Sequence, residues 1–482
     1  SQISSQLVNF GYHGLIPIET LQICANSSEK INLLLKSQQK SEIDKVYVTL
    51  SVPLGIKLLN PKQAYYSLPE PLSVKETLST NGERRQYKLV FPNTVVNSAE
   101  LDSKQYFAVP LFFTAETASY GDLGSLELAA SIDDETYEPL PLRVPVKVLP
   151  PLRAKSPTHK LPLILWVYSR QTEQMNPEAK KLIQQKVADS GYNLVPGNTQ
   201  MVKEYKQLGI RTFPMLPTLT ISGPYFPGMQ KFIKDNPQYA AYNANGKITQ
   251  TIDPAVFLSD NNPFQEQFTK VLARFMEDFN DEMHIDYEFP FLRGGTSLPQ
   301  GSGVIGYSEK NLQLFKEQYS IPENDLQAEI ILDKHKEKWL EFRCRQTADT
   351  MGKYREVISS INPQARFSLY SGYPPGAAAN YGIDWQYVSQ NVDLCMVGYG
   401  GDDALMLQTI PQKFYNSGLL LMGFVDQRGI ANTYTAMLNR AGSYMGYVHY
   451  TVDGLYFYKS SLVAEIAADF EEAFLNLKDN KL

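Results

Sequence analysis

From about residue 162 onward the chain repeats one pattern: a short run of apolar, β-branched or aromatic residues, a polar turn, then a segment with apolar residues at helical spacing. The runs fall at 163–168, 192–195, 211–216, 283–288, 366–370, 393–399, 419–425 and 447–452. Strands that alternate with helices must lie parallel, because each helix returns the chain to the start of the next strand. Eight such units in roughly 320 residues predict an α/β fold of the (β/α)8 TIM-barrel class. An open dinucleotide-binding sheet alternates in the same way but carries a Gly-rich phosphate loop after its first strand. No such loop follows Tyr168.

Residues 1–150 obey a different rule. The runs at 45–50, 87–91, 106–113 and 142–149 are β-rich, separated by turn residues such as Asn60-Pro61 and Asn81-Gly82, and no helical period appears. This predicts an all-β, immunoglobulin-like sandwich ahead of the barrel. Its role reads as structural, or as a sugar-binding or docking module. Residues 151–161 contain Pro151 and Pro157 and read as a linker, so the barrel domain is expected to span 162–482.

Composition narrows the function classes. The net charge of −6 argues against nucleic acid, which needs clustered cations. No apolar run reaches the ~18 residues of a membrane span. Three cysteines cannot build a disulfide framework, and the five histidines show no zinc-ligand spacing, so neither metal nor cofactor is expected. The sequence opens on Ser1 rather than Met, as an exported mature chain would, giving an extracellular or periplasmic expectation. The 30 tyrosines suit a wet, sugar-lined cleft, since each offers an apolar ring and a hydroxyl.

Barrel chemistry sits at the C-terminal ends of the strands. The fourth run ends in His284, Asp286 and Glu288, which share one strand face because side chains alternate. Two adjacent carboxyl groups in a low-dielectric site raise one pKa, and a carboxylic acid that keeps its proton near neutrality is what glycosidic-bond cleavage requires. Other strand ends supply Tyr370, Tyr373, Tyr399, Asp402, Asp403, Asp426, Arg428, His449 and Tyr450. Asp402, Asp403 or Asp426 could be a second carboxylate facing Glu288, and Arg293 or Arg428 a cationic partner. Trp166, Tyr168, Tyr225, Phe226, Tyr287, Tyr370, Tyr373 and Tyr399 are candidates for a stacking platform. The segment Tyr381-Gly382-Ile383-Asp384-Trp385 reads as a loop contact or as helix packing. Gly-rich residues within 291–338 read as a lid.

The run Asp281-Glu282-Met283-His284-Ile285-Asp286-Tyr287-Glu288-Phe289-Pro290 resembles the fourth-strand signature of glycoside hydrolase family 18, Asp-Gly-x-Asp-x-Asp-Trp-Glu-Tyr-Pro. It keeps the first and third Asp, the Glu, the Pro and aromatic residues on both sides of the Glu. The resemblance implies Glu288 as general acid/base and Asp286 as the residue that positions a substrate N-acetyl group. His284 stands where the signature has its middle Asp. Val397-Gly398-Tyr399-Gly400 keeps only the Tyr of the family's sixth-strand motif, and the strand-eight tryptophan is absent.

The sequence thus predicts a glycoside hydrolase acting on an oligo- or polysaccharide, with Glu288, Asp286, Tyr399 and Asp426 as catalytic candidates. His284, Trp166, Tyr168, Tyr287, Tyr370, Asp402, Arg428 and Tyr450 are the substrate-binding candidates. A non-catalytic carbohydrate-binding barrel is the competing class, and a metal-dependent barrel hydrolase is a third.

Overall fold

The computed structural model describes residues 8–13, 16–25, 27–36, 45–59, 73–78, 82–92, 106–117, 119–132, 138–151, 163–166, 177–189, 193–197, 199–219, 226–288, 304–372, 374–398, 408–414, 419–424 and 446–450. Three extended sheets organise them.

Two sheets come from the N-terminal part. One runs in the order Ile16–Pro17, Val8–His13, Ser28–Lys36, Tyr106–Ala115, Ile56–Leu59. The other runs Leu21–Cys24, Glu138–Leu149, Gly121–Ile132, Lys45–Pro53, Arg84–Pro92, Ser73–Leu78. Neighbours pair antiparallel except Leu21–Cys24 with Glu138–Leu149. Lys45–Pro53 shows why such a sequence makes a two-layer structure. Val46, Val48, Leu50 and Val52 alternate inward and are buried, while the intervening residues are half-exposed. They share one core with Ile56, Leu58, Leu111 and Phe113 of the other sheet.

The third sheet has eight strands, numbered here in chain order: β1 (Leu163–Trp166), β2 (Leu194–Pro196), β3 (Arg211–Phe213), β4 (Glu282–Asp286), β5 (Arg366–Tyr370), β6 (Leu394–Gly398), β7 (Leu419–Phe424) and β8 (Gly446–Tyr450). All neighbours are parallel, in the order β3-β2-β1-β8-β7-β6-β5-β4. The two outermost strands meet. Met215, just past β3, forms a parallel bridge with His284 of β4, and the Leu216 N–H donates to the His284 carbonyl at 2.8 Å. At the N-terminal end of that seam, Glu282 of β4 accepts from Arg211 of β3 at 2.9 Å and pairs with Arg366 of β5.

The intervening helices follow from apolar spacing and end signals. Helix α1 is Pro177–Asp189, α2 is Thr199–Lys206, α3 is Gln265–Asp278, α4 is Lys336–Ile361 and α5 is Pro374–Tyr381. In α3, Phe268, Leu272 and Met276 stand four apart and are buried. After α2, Gly209 takes the left-handed φ of 75° that closes the helix, and the Ile210 N–H reaches back to the Tyr205 carbonyl at 3.0 Å.

Two of the connections carry structure of their own. The stretch before residue 262, rich in Gly, Pro, Tyr and Asn, contains the helix Met229–Asp235 and a hairpin of Ala240–Tyr242 with Ile248–Ile252. Short strands among Gly, Asn and Tyr residues carry too weak a periodic signal to be read. The insertion after Pro290 carries a packed unit from Val304 onward. Helices Glu309–Tyr319 and Ala328–Lys334 enclose Val304, Phe315, Ile331, Trp339 and Phe342 in a core of their own. The Gly-rich part, 289–303, lies outside the described residues, as do residues 433–441 and 462–477, whose sequences have helical character.

The N-terminal sheets are fastened to this assembly. Lys186 of α1 donates to the Ser28 carbonyl at 2.8 Å and to Glu29 at 3.1 Å, with both charged side chains essentially inaccessible. Cys24, Leu59 and Phe112 belong to the same core as the residues of α2 and α3. The three cysteines are buried and form no disulfide.

Candidate active site

β4 sorts its residues onto two faces. Met283, Ile285 and Tyr287 point into the core shared with Leu272 and Met276 of α3 and Met351 and Tyr354 of α4. Glu282, His284, Asp286 and Glu288 alternate with them and take the opposite face. Along that face burial falls steadily: His284 is fully buried, Asp286 is half-buried and Glu288 is exposed. The strand carries its acids from the sheet interior to an open end.

His284 is a seam residue. Its ring meets Phe213 of β3 edge-on at 5.3 Å, and its Nδ1 lies 2.6 Å from the Ser368 hydroxyl on β5. Burial pushes its pKa down to about 3, so the imidazole is neutral at working pH. A neutral His adds no charge beneath Asp286, where the family signature would place a third acid.

Asp286 is pushed up to about 7, first by burial and then by the charge of Glu288. Its Oδ1 is buried and has no hydrogen-bond partner among the described residues. A carboxylate there lacks solvation that a neutral carboxylic acid does not need, so the site holds a proton into the neutral range.

β4 and β5 stay side by side beyond their formal ends. Asp286 is the register partner of Tyr370, which is buried. The Tyr287 N–H donates to the Tyr370 carbonyl at 2.8 Å, and the Ser371 hydroxyl donates to the Tyr287 carbonyl at 2.9 Å. Glu288 is thereby brought level with Gly372. The ring of Tyr381, the last residue of α5, lies against the bare Cα of Gly372. Burial, then the charges of Glu288 and Asp286, raise the Tyr381 phenol above its ordinary range and keep it protonated.

The structure therefore gathers His284, Asp286, Glu288 and Tyr370 on adjacent strands. Tyr287 lies on the opposite face, 4% exposed. Phe226 and Trp385 are core residues: Phe226 stacks on Phe268, and Trp385 is 1% exposed. The backbones of Trp166 and Tyr450 are register partners at the ends of β1 and β8. Their side chains lie outside the described residues, as do Tyr168, Tyr225, Arg293, Tyr373, Tyr399, Asp402, Asp403, Asp426 and Arg428. Tyr381 was visible in sequence only as part of an ambiguous loop. The signal that could have singled it out is Gly372, a glycine two residues past a strand end. Among the described residues no group of three His, Cys, Asp or Glu side chains could hold a metal ion, and no helix is long and apolar enough to cross a membrane.

No family model matches the sequence, and no curated protein matches it. Among solved structures, the chain is similar to a catalytic mutant of a GH42 β-galactosidase from G. stearothermophilus, with 10% identity and a TM-score of 0.46 over 68% of this chain and 58% of that one. It is similar to the cold-adapted β-galactosidase of Rahnella sp. R3, with 10% identity and a TM-score of 0.44 over the same shares. It is also similar to an agarase, with 8% identity and a TM-score of 0.39 over 94% of both chains. All three are glycoside hydrolases. The chain spans 58% of the length of these galactosidases.

Proposed function

We propose that the protein is a glycoside hydrolase built on a closed (β/α)8 barrel with an immunoglobulin-like sandwich packed against it. Glu288 is its general acid/base and Asp286 the partner of Glu288. The observation that carries this reading is the proton-holding carboxyl group of Asp286, raised to about 7, directly beneath the exposed Glu288 on one strand face. The meeting of β3 and β4 at Met215 and His284 supports closure of the sheet.

The chemistry follows from the pair. A glycosidic oxygen is a poor leaving group unless it is protonated as its bond to the anomeric carbon breaks. Below about pH 7 Asp286 holds a proton, and Glu288, at the open end of the same face, is the group placed to hand the pair's proton to the glycosidic oxygen. The deeper Asp286 keeps that proton from being lost to water. On the N-acetyl-assisted route that the family resemblance implies, the substrate's N-acetyl oxygen bonds to the anomeric carbon as the glycosidic bond breaks, and water then displaces it and gives a proton back to the pair. The finer reading, an N-acetyl-assisted hydrolase of the family 18 type, rests on Asp281, Asp286, Glu288 and Pro290. It predicts cleavage of substrates with a 2-acetamido group and none of their 2-hydroxy analogues.

The test is turnover of the full chain and of Glu288→Gln on a panel of oligo- and polysaccharides. Cleavage by the parent and its loss in the variant support the reading. Equal turnover of the two refutes the role of Glu288.

A further inference from the structure

Glu288 has a neighbour that its own strand does not supply. β4 and β5 keep pace through the hydrogen bonds of Tyr287 to Tyr370 and of Ser371 to Tyr287, so Glu288 and Gly372 are adjacent. A Cβ on Gly372 would lie 2.6 Å from Cε2 of Tyr381 and 3.4 Å from its hydroxyl oxygen. The missing side chain leaves the space beside Gly372 that the tyrosine ring fills, and there the Tyr381 phenol feels the charges of Glu288 and Asp286.

The position of that ring is fixed from behind. α5 ends at Tyr381, and Gly382 turns the chain with φ 71°. The Gly382 N–H donates to the Ala378 carbonyl at 3.0 Å, and the Ile383 N–H to the Ala377 carbonyl at 3.2 Å. Ala377, Ile383 and Trp385 around this turn are all buried. A helix end this well anchored delivers its last side chain to one place. A protonated phenol beside two carboxyl groups can act toward a carboxylate in one direction only, as a hydrogen-bond donor.

We propose that Tyr381 is a positioning residue of the Asp286–Glu288 pair: its hydroxyl, brought across Gly372, donates to the Glu288 carboxylate once the acid has released its proton to the leaving group. This rests on the glycoside-hydrolase reading of Glu288. The proton of Glu288 goes to the glycosidic oxygen, the phenol keeps its own proton, and the donated hydrogen bond steadies the charge left on Glu288. Donation to the charged form also favours ionisation of the pair. Removing it must therefore slow the acid step and move the ionisation of the pair upward.

The experiment uses the full chain and Tyr381→Phe, which keeps the ring against Gly372 and deletes the hydroxyl. The expected loss is about 10–100-fold in kcat with little change in KM, the size of one charge-assisted donor. The alkaline limb of the pH–rate profile moves up by about one pH unit, since one unit corresponds to about 1.4 kcal/mol. Gly372→Ala, which displaces the ring while leaving the hydroxyl in the chain, reproduces both effects. The pH at which thermal stability levels off moves upward with the same variants, a readout that needs no substrate. If Glu288→Gln is inactive but Tyr381→Phe leaves rate, alkaline limb and stability profile unmoved, the role of Tyr381 is overturned while that of Glu288 stands. If Glu288→Gln is as active as the parent, the reading of Glu288 falls and the role of Tyr381 falls with it.

Discussion

Asp286→Asn should stabilise the folded protein at alkaline pH and do so progressively less as the solution is acidified. The folded-state pKa of Asp286 is raised to about 7, from an ordinary value of 3.8. Between these values the folded chain binds a proton that the unfolded chain has lost, so stability falls as pH rises through the window. Above pH 7 the folded protein carries a charged, half-buried carboxylate at a cost on the order of 3 pKa units, or roughly 4 kcal/mol. Relaxation and water at the open end reduce this to about 2–4 kcal/mol. His284 works in the opposite sense over nearly the same range. Its pKa is lowered to about 3, so the unfolded chain takes up a proton first as pH falls below the ordinary 6.5, and stability falls with acidification. The two slopes offset each other in the parent, and removing Asp286 exposes that of His284. The assay is urea denaturation of parent and variant at pH 4.5 and pH 8. Asparagine also places an amide where Oδ1 has no described partner, a penalty that is the same at both pH values and cancels in their difference. A variant equally stable or equally unstable relative to the parent at both pH values would show that Asp286 does not hold a proton in the neutral range.

Other perturbations reach different parts of the account. Lys186→Met leaves Glu29 buried without its cation and should lower stability by about 3–5 kcal/mol, read as a fall in the denaturation midpoint, while Lys186→Met combined with Glu29→Leu recovers much of it. Gly306→Ala should destabilise by at least about 2 kcal/mol in the same assay. Gly306 has a φ of 112°, and its new Cβ would lie 2.5 Å from Nε of the buried Arg343. Ser368→Ala removes the partner of His284 Nδ1 and should cost about 1–3 kcal/mol, again by denaturation.

Sequence reading reached the parts of the molecule that obey simple periods. The strand ends Asp286 and Tyr370 were legible because alternation and β-branched content mark their strands, and α3 because Phe268, Val271, Leu272 and Phe275 recur at helical spacing. The hairpin at 240–252 was not, since three- and five-residue strands give too few repeats to count. His284 read as a binding residue because polarity suggests exposure, whereas its burial depends on Phe213 and Ser368 closing over it from β3 and β5. Tyr381 could not be placed, because its neighbour at the site is a glycine nine residues earlier whose significance is an absence of atoms.

The central claim is that Glu288 delivers a proton to the departing sugar oxygen. The most direct measurement compares parent and Glu288→Gln on two substrates with the same glycone, one with an alkyl leaving group and one with an activated aryl leaving group that departs without protonation. General-acid catalysis predicts a loss of about 10²–10⁴-fold in kcat/KM on the alkyl substrate and a far smaller loss on the aryl one. Equal losses on both, or none on either, would contradict the assignment.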